Sequence, residues 1–158
     1  MTARNEDNRR RYERLPIHLE VIAVLQGVKS RSGESLTSHG VAKDLSLGGM
    51  RIAVFREAKD WSWQITRGHR FLRIQTRIPD LGSPYGERVI NLHGRIVWTK
   101  LKEADPARKV SAACEMGVEF EPFGGMDEKT FEFAYDALEA AGVETLERSR
   151  GIQGVPLR

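Results

Sequence analysis

The pattern of apolar residues predicts an all-β chain with a C-terminal helix, built as a small six-stranded antiparallel β-barrel. Three observations carry that expectation. Apolar residues recur with a period of two through about six short stretches, as half-buried strands require. Most of the joints between them carry Gly, Ser, Asp or Pro, the chemistry of turns. The period then becomes helical near the C-terminus.

Residues 1–13 are polar, charged and Arg-rich, with no apolar period, which predicts a flexible arm. Pro16 breaks it. Ile17, Leu19, Val21, Ala23 and Leu25 then alternate with His18, Glu20, Ile22, Val24 and Gln26, giving a first strand with one strongly apolar face. Residues 29–35 read as a hairpin turn, and residues 37–43 as a second strand. Residues 44–49 have turn chemistry, since Asp and Ser bond to nearby backbone and Gly48-Gly49 permit positive φ. Met50, Ile52 and Val54 mark a third strand. Residues 57–67 hold Trp61 and Trp63 among charges and read as a loop or short helix over one end of the sheet.

A fourth strand spans residues 71–78, with Leu72, Ile74 and Ile78 on one face and Arg73 and Arg77 on the other. Pro and Gly in residues 79–86 end it. The fifth covers residues 89–100 and puts Ile90, Leu92, Ile96 and Trp98 on one face. Residues 102–109 link it to the sixth, residues 111–121, whose Met116, Val118 and Phe120 face inward. Asp127 can cap a helix in which Phe131, Tyr135 and Leu138 recur at helical spacing, to plug an open barrel end or dock a partner, and Gly142 suits its stop. The expected organisation is an arm at 1–13, a barrel at 14–123, a helix at 124–142 and a disordered tail at 143–158.

Composition narrows the function classes. No run approaches the roughly 18 apolar residues of a membrane span, and the N-terminus is too polar for a secretory signal, so a cytoplasmic location is expected. One cysteine, Cys114, excludes an internal disulfide framework and any multi-thiolate metal site, and its place on a strand predicts a buried, inert thiol. His18, His39, His69 and His93 are scattered, with no H-E-x-x-H pattern, so no metal is expected. Asp44 and Ser46 have no evident His partner for a nucleophilic triad, and no enzyme is expected. The net charge of +3 is mild, but Arg greatly outnumbers Lys among the 25 basic residues. Arg presents a planar fork of donors suited to phosphates and guanine edges. A GC-rich genome produces the same bias.

R-x-x-x-R occurs twice, at Arg10/Arg14 and at Arg73/Arg77. The second pair sits at strand spacing and reads as a solvated outer surface. The first is embedded in Arg9-Arg10-Arg11-Tyr12-Glu13-Arg14, entering strand one. About 30 residues downstream, Asp44-Leu45-Ser46-Leu47-Gly48-Gly49 gives D-x-S-x-x-G between two strands. Asp60-Trp61-Ser62 begins a near copy that fails at Ile65, where Gly is needed. R-R-x-x-x-R before strand one and D-x-S-x-x-G after strand two, in that order, resemble the PilZ domain family. Gly94-Arg95-Ile96-Val97-Trp98 and Met116-Gly117-Val118-Glu119-Phe120 are similar to its later strands, so the resemblance covers residues 9–123.

The resemblance implies a receptor for cyclic di-GMP with no other cofactor. Guanine O6 and N7 match an Arg fork, and its N1–H and exocyclic amine suit a carboxylate. Phosphates suit Arg, a hydroxyl and backbone N–H groups. By position, Arg10 and Arg14 would take guanine and phosphate. Asp44 and Ser46 would hold the other guanine edge, with Gly48 and Gly49 letting backbone approach closely. Arg9 would accompany an intercalated dinucleotide dimer, and Trp98 would line the pocket or fill the barrel core. The arm is expected to clamp onto the barrel when ligand binds and to relay the signal to a protein effector of motility, exopolysaccharide synthesis or a related output. Two alternatives stay open. One is a small barrel that grips RNA or single-stranded DNA with the Arg arm and Trp61, Trp63 or Phe71 as stacking platforms. The other is a nucleotide-independent adaptor of the same family.

Overall fold

A computed structural model describes residues 13–29, 35–79 and 86–154, the last four as backbone. Six strands close in the order β1-β2-β3-β6-β5-β4, every neighbouring pair antiparallel. They are β1 (Leu15–Lys29), β2 (Ser35–Ser46), β3 (Gly49–Val54), β4 (Phe71–Pro79), β5 (Glu87–Lys102) and β6 (Ala113–Phe120). Each described strand is paired on both sides, although β1 and β4 meet only over Ile22–Leu25 and Leu72–Gln75. The expected all-β barrel with a C-terminal helix is what the chain forms. Residues 30–34 of the expected hairpin lie outside the described residues, although Lys29 pairs with Ser35 at its base.

The period of two fills the interior. Leu19, Val21, Ala23 and Leu25 of β1 are buried, and so are Leu72, Ile74 and Ile78 of β4. Arg73 and Arg77 are exposed on the outer face, where Arg77 lies 3.7 Å from Glu87. Thr76 faces inward as a polar residue, and its hydroxyl donates to the Glu20 carbonyl at 2.9 Å, which satisfies it. Cys114 is fully buried, and burial pushes its thiol up despite a contact with the Thr99 hydroxyl.

Between β3 and β4, residues 57–67 form a true helix, α1 (Ala58–Thr66), packed against β5 and β6. Trp61 and Ile65 are four apart, share one face of it and are fully buried. Trp61 is therefore core and no platform for a base. Trp63 is on the other side, 59% exposed, with the Arg67 guanidinium 5.3 Å over its ring. The near copy of the turn motif that begins at Asp60 is thus a helix segment.

The second helix, α2 (Glu128–Gly154), begins at the expected cap. The Thr130 hydroxyl and backbone N–H donate to the Asp127 carboxylate at 2.6 and 2.9 Å, and these bonds, the hydroxyl first, hold Asp127 below the usual carboxylate range. Phe131, Ala134, Tyr135 and Leu138 bury one stripe against β1 and β4, and Phe131 meets Phe120 edge to face at 6.0 Å. The helix does not stop at Gly142, and residues 143–154 are helical where a disordered tail was expected. Gly142 serves packing instead, because a Cβ there would lie 2.8 Å from the Ile17 Cβ. Beyond it the Glu144–Arg148 pair, four residues apart on one face, supports continued helix. Gly142→Val should push α2 off β1 and lower stability by about 1–3 kcal/mol, read as a reduced urea midpoint.

Candidate functional site

Two breaks in the strand alternation build the outer face of the barrel. In β2, Ala42 and Leu45 are both buried in the core although three residues apart, so Lys43 and Asp44 both fall outside. The β2–β3 register shifts by one between Ala42 and Asp44. In β5, Ile96 is buried while Val97 and Trp98 are both exposed, and the β5–β6 register shifts between Ile96 and Trp98. Each shift is a β-bulge, which re-aims the side chains that follow. After the two bulges, Asp44 pairs with Arg51, Arg51 with Gly117 and Gly117 with Trp98, in one row across β2, β3, β6 and β5.

Residues 44–49 are not all turn. Asp44 and Ser46 end β2, and Ser46 pairs with Gly49 around Leu47-Gly48. Neither Gly48 nor Gly49 has positive φ, which among the described glycines occurs at Gly27, Gly68, Gly86, Gly124 and Gly125. Gly49 is needed for another reason: a Cβ there would sit 1.9 Å from the Val118 carbonyl oxygen, so any side chain would pry β3 from β6. The Gly48 carbonyl accepts from the Phe120 N–H at 2.8 Å and ties the turn to the same strand. Gly117 is likewise filled from outside, with the Trp98 indole nitrogen 2.0 Å from where its Cβ would be.

The charges on this face are ordered. The Asp44 carboxylate, 15% exposed, lies between two guanidiniums, with Arg14 Nη1 3.4 Å from Oδ1 and Arg51 Nε 3.1 Å from Oδ2. The Ser46 hydroxyl donates to the Gly49 carbonyl at a long 3.4 Å. Arg14, Ser46, Gly48, Gly49, Val97, Gly117, Val118 and Glu119 line a cleft of about 350 Å³, within the size of small-molecule sites. Three glycines leave its floor largely backbone. Beside it, Lys43 Nζ and Lys102 Nζ each lie 3.0 Å from Oε1 of the buried Glu115. Burial pushes this carboxyl up, but the hydrogen bonds and charges of the two lysines outweigh it and hold Glu115 below its ordinary 4.5.

With this geometry in view, the family model of the PilZ domain matches residues 8–132. The chain belongs to the PilZ domain family. No curated protein matches it in sequence. Among solved structures, PlzA of Borreliella burgdorferi, in complex with c-di-GMP, has a TM-score of 0.52 at 8% identity over 99% of this chain and 59% of PlzA. The PilZ domain of YcgR from Escherichia coli, solved with c-di-GMP, has a TM-score of 0.48 at 17% identity over 92% of this chain and 96% of that one. Apo MrkH of K. pneumonia has a TM-score of 0.49 at 13% identity over 87% of this chain and 52% of MrkH. The PlzA likeness is one of fold.

Of the residues expected from sequence, this PilZ domain gathers Arg14, Ser46, Gly48 and Gly49 at one cleft, and Asp44 stands beside it, in contact with Arg14. Arg9 and Arg10 lie outside the described residues. Trp98 is not core: it is 38% exposed, follows the cleft residue Val97 and rests over Gly117. Sequence reasoning missed Arg51 and Gly117. A hairpin register through Ser46 and Gly49 would have set Arg51 across from Asp44, and a glycine inside a strand marks close approach by another group. Among the described residues no group of His, Cys, Asp and Glu could hold a metal ion, and no helix is long and apolar enough to cross a membrane.

The depressed Glu115 has a signed consequence. Its stabilisation is complete above the ordinary pKa of 4.5 and is lost as pH falls below that value and through the folded one. The urea midpoint of the wild type should therefore exceed that of Glu115→Gln by a constant margin above pH 5.5 or so, and the margin should shrink towards about pH 3.

Proposed function

We propose that this PilZ domain is a receptor for cyclic di-GMP and binds it at the cleft beside Asp44. The observation that carries the reading is that Arg14 and Ser46, more than 30 residues apart in sequence, line one glycine-floored cleft, with Asp44 bonded to Arg14 beside it. Membership of the PilZ family supports it, as does the fold shared with PlzA, solved in complex with c-di-GMP.

In this reading Arg14 turns from Asp44 to a phosphate or guanine of the ligand. The release costs little, because an exposed ion pair at 3.4 Å is worth at most about 1 kcal/mol. A charge-assisted hydrogen bond returns roughly 1.5–3 kcal/mol. Asp44 accepts from the guanine N1–H and amine, Ser46 and the backbone at Gly48 and Gly49 meet a phosphate, and Trp98 flanks the base. Arg10 acts with Arg14, and Arg9 with a second, intercalated nucleotide. The arm of residues 1–13 clamps onto the barrel as ligand binds, in the cytoplasm, and the change is relayed to a protein effector of motility or exopolysaccharide output.

Calorimetry tests this. The wild type should bind cyclic di-GMP with a dissociation constant near micromolar, and Arg14→Ala and Asp44→Ala should each weaken it by about tenfold or more. Hydrogen exchange at residues 9–14 should slow at saturation. Affinity that grows with the length of a single-stranded oligonucleotide, with no heat from cyclic di-GMP, would reject the reading in favour of nucleic-acid binding.

A further inference from the structure

Arg51 belongs to no part of the motif, yet it makes the shorter of the two contacts to Asp44. The two guanidiniums differ in how they are held. Arg14 enters from the first residues before β1, and its side chain is 57% exposed. Arg51 sits within β3, directly across from Asp44, and its side chain is 37% exposed. Its Nε is fully buried and makes no aligned hydrogen bond, so the Asp44 carboxylate at 3.1 Å is the charge that compensates it. Its partner on β6 is Gly117, which has no side chain to displace it.

We infer that Arg51 is the positioning residue that turns Asp44 into a reader of the guanine edge. The inference rests on the cyclic di-GMP reading and deepens it. A carboxylate can accept from guanine N1–H and the exocyclic amine only if it holds its orientation after Arg14 has moved to the ligand. Arg51 meets that condition. It keeps a positive charge beside Asp44 when Arg14 leaves, and it holds Oδ2 so that Oδ1, now vacated, faces the ligand. Without Arg51, the carboxylate would be free to rotate or to keep Arg14 for itself. Specificity for guanine would fall before affinity for phosphates did.

The test is a comparison of cyclic di-GMP with cyclic di-inosine monophosphate, which has the same phosphates and lacks the exocyclic amines. The wild type should prefer the guanine ligand by about tenfold or more, as a lost hydrogen bond to a charged group predicts. Arg51→Met should bring the two affinities to within about twofold, mainly by weakening cyclic di-GMP. Arg51→Lys, which keeps the charge without the Nε contact, should remain undiscriminating. In an Asp44→Ala background Arg51→Met should change neither affinity. The inference is overturned if Arg51→Met weakens both ligands by one common factor, if Arg51→Lys discriminates like the wild type, or if the wild type itself binds both ligands equally. A wild type that binds neither ligand overturns the cyclic di-GMP reading, and this inference with it.

Discussion

A strand with core on one side and water on the other can show solvent only every second residue. The site of this barrel depends on breaking that constraint twice. At Lys43 and at Val97 an extra residue turns the strand over, so that Asp44 and Trp98 face outward behind Ala42 and Ile96, which face in. Without the first bulge, a strict period from Ala42 would send Asp44 into a core of Leu, Ile and Met, where an unpaired carboxylate is very costly. Without the second, Trp98 would follow Ile96 inward and Gly117 would lose its cover. The bulges flank one row, and Arg51 and Gly117 occupy the positions between them.

What holds that row in place is partly electrostatic and partly the absence of side chains. The bulge residue Lys43 is tied to Glu115 on β6, two strands away, and Lys102 on β5 shares the same carboxylate oxygen. A buried carboxylate between two ammoniums links three strands around the bulge, and removing either lysine would leave charge with less compensation. Glycine does the opposite work. At Gly49 the backbones of β3 and β6 approach too closely for any Cβ, and at Gly117 an indole fills the space. The cleft thus has a floor of main chain and a rim of charge, an arrangement suited to an anionic ligand with flat rings.

Much of the fold was legible in the residues because burial imposes period and position. The alternation in Ile17, Leu19, Val21, Ala23 and Leu25 is a direct imprint of one buried face, and the Asp127 cap is a local hydrogen-bond pattern. Trp98 was assigned to the face of Ile90, Leu92 and Ile96 because alternation was read straight through a bulge that only the pairing with β6 reveals. Gly142 looked like a helix stop because its tertiary reason, the Ile17 side chain, lies more than a hundred residues away in sequence. Trp61 sat among charges that hid its partner Ile65 one helical turn on. Arg51 was overlooked for a similar reason, since its meaning comes from the strand opposite. The motif positions Arg14, Asp44, Ser46 and Gly49 were readable, but their convergence required β2 and β3 to fold as a hairpin beside β6.

The central claim is that the row between the two bulges is where the ligand sits. The most direct measurement is a titration of the isotope-labelled protein with cyclic di-GMP, followed by backbone and indole N–H resonances. The account predicts that shifts concentrate at Asp44, Ser46, Gly48, Gly49, Arg51, Gly117 and the Trp98 indole, and leave the outer faces of β4 and α2 unmoved. Shifts centred on α2 or on Arg73 and Arg77, with the Asp44 and Trp98 signals unchanged at saturation, would contradict it.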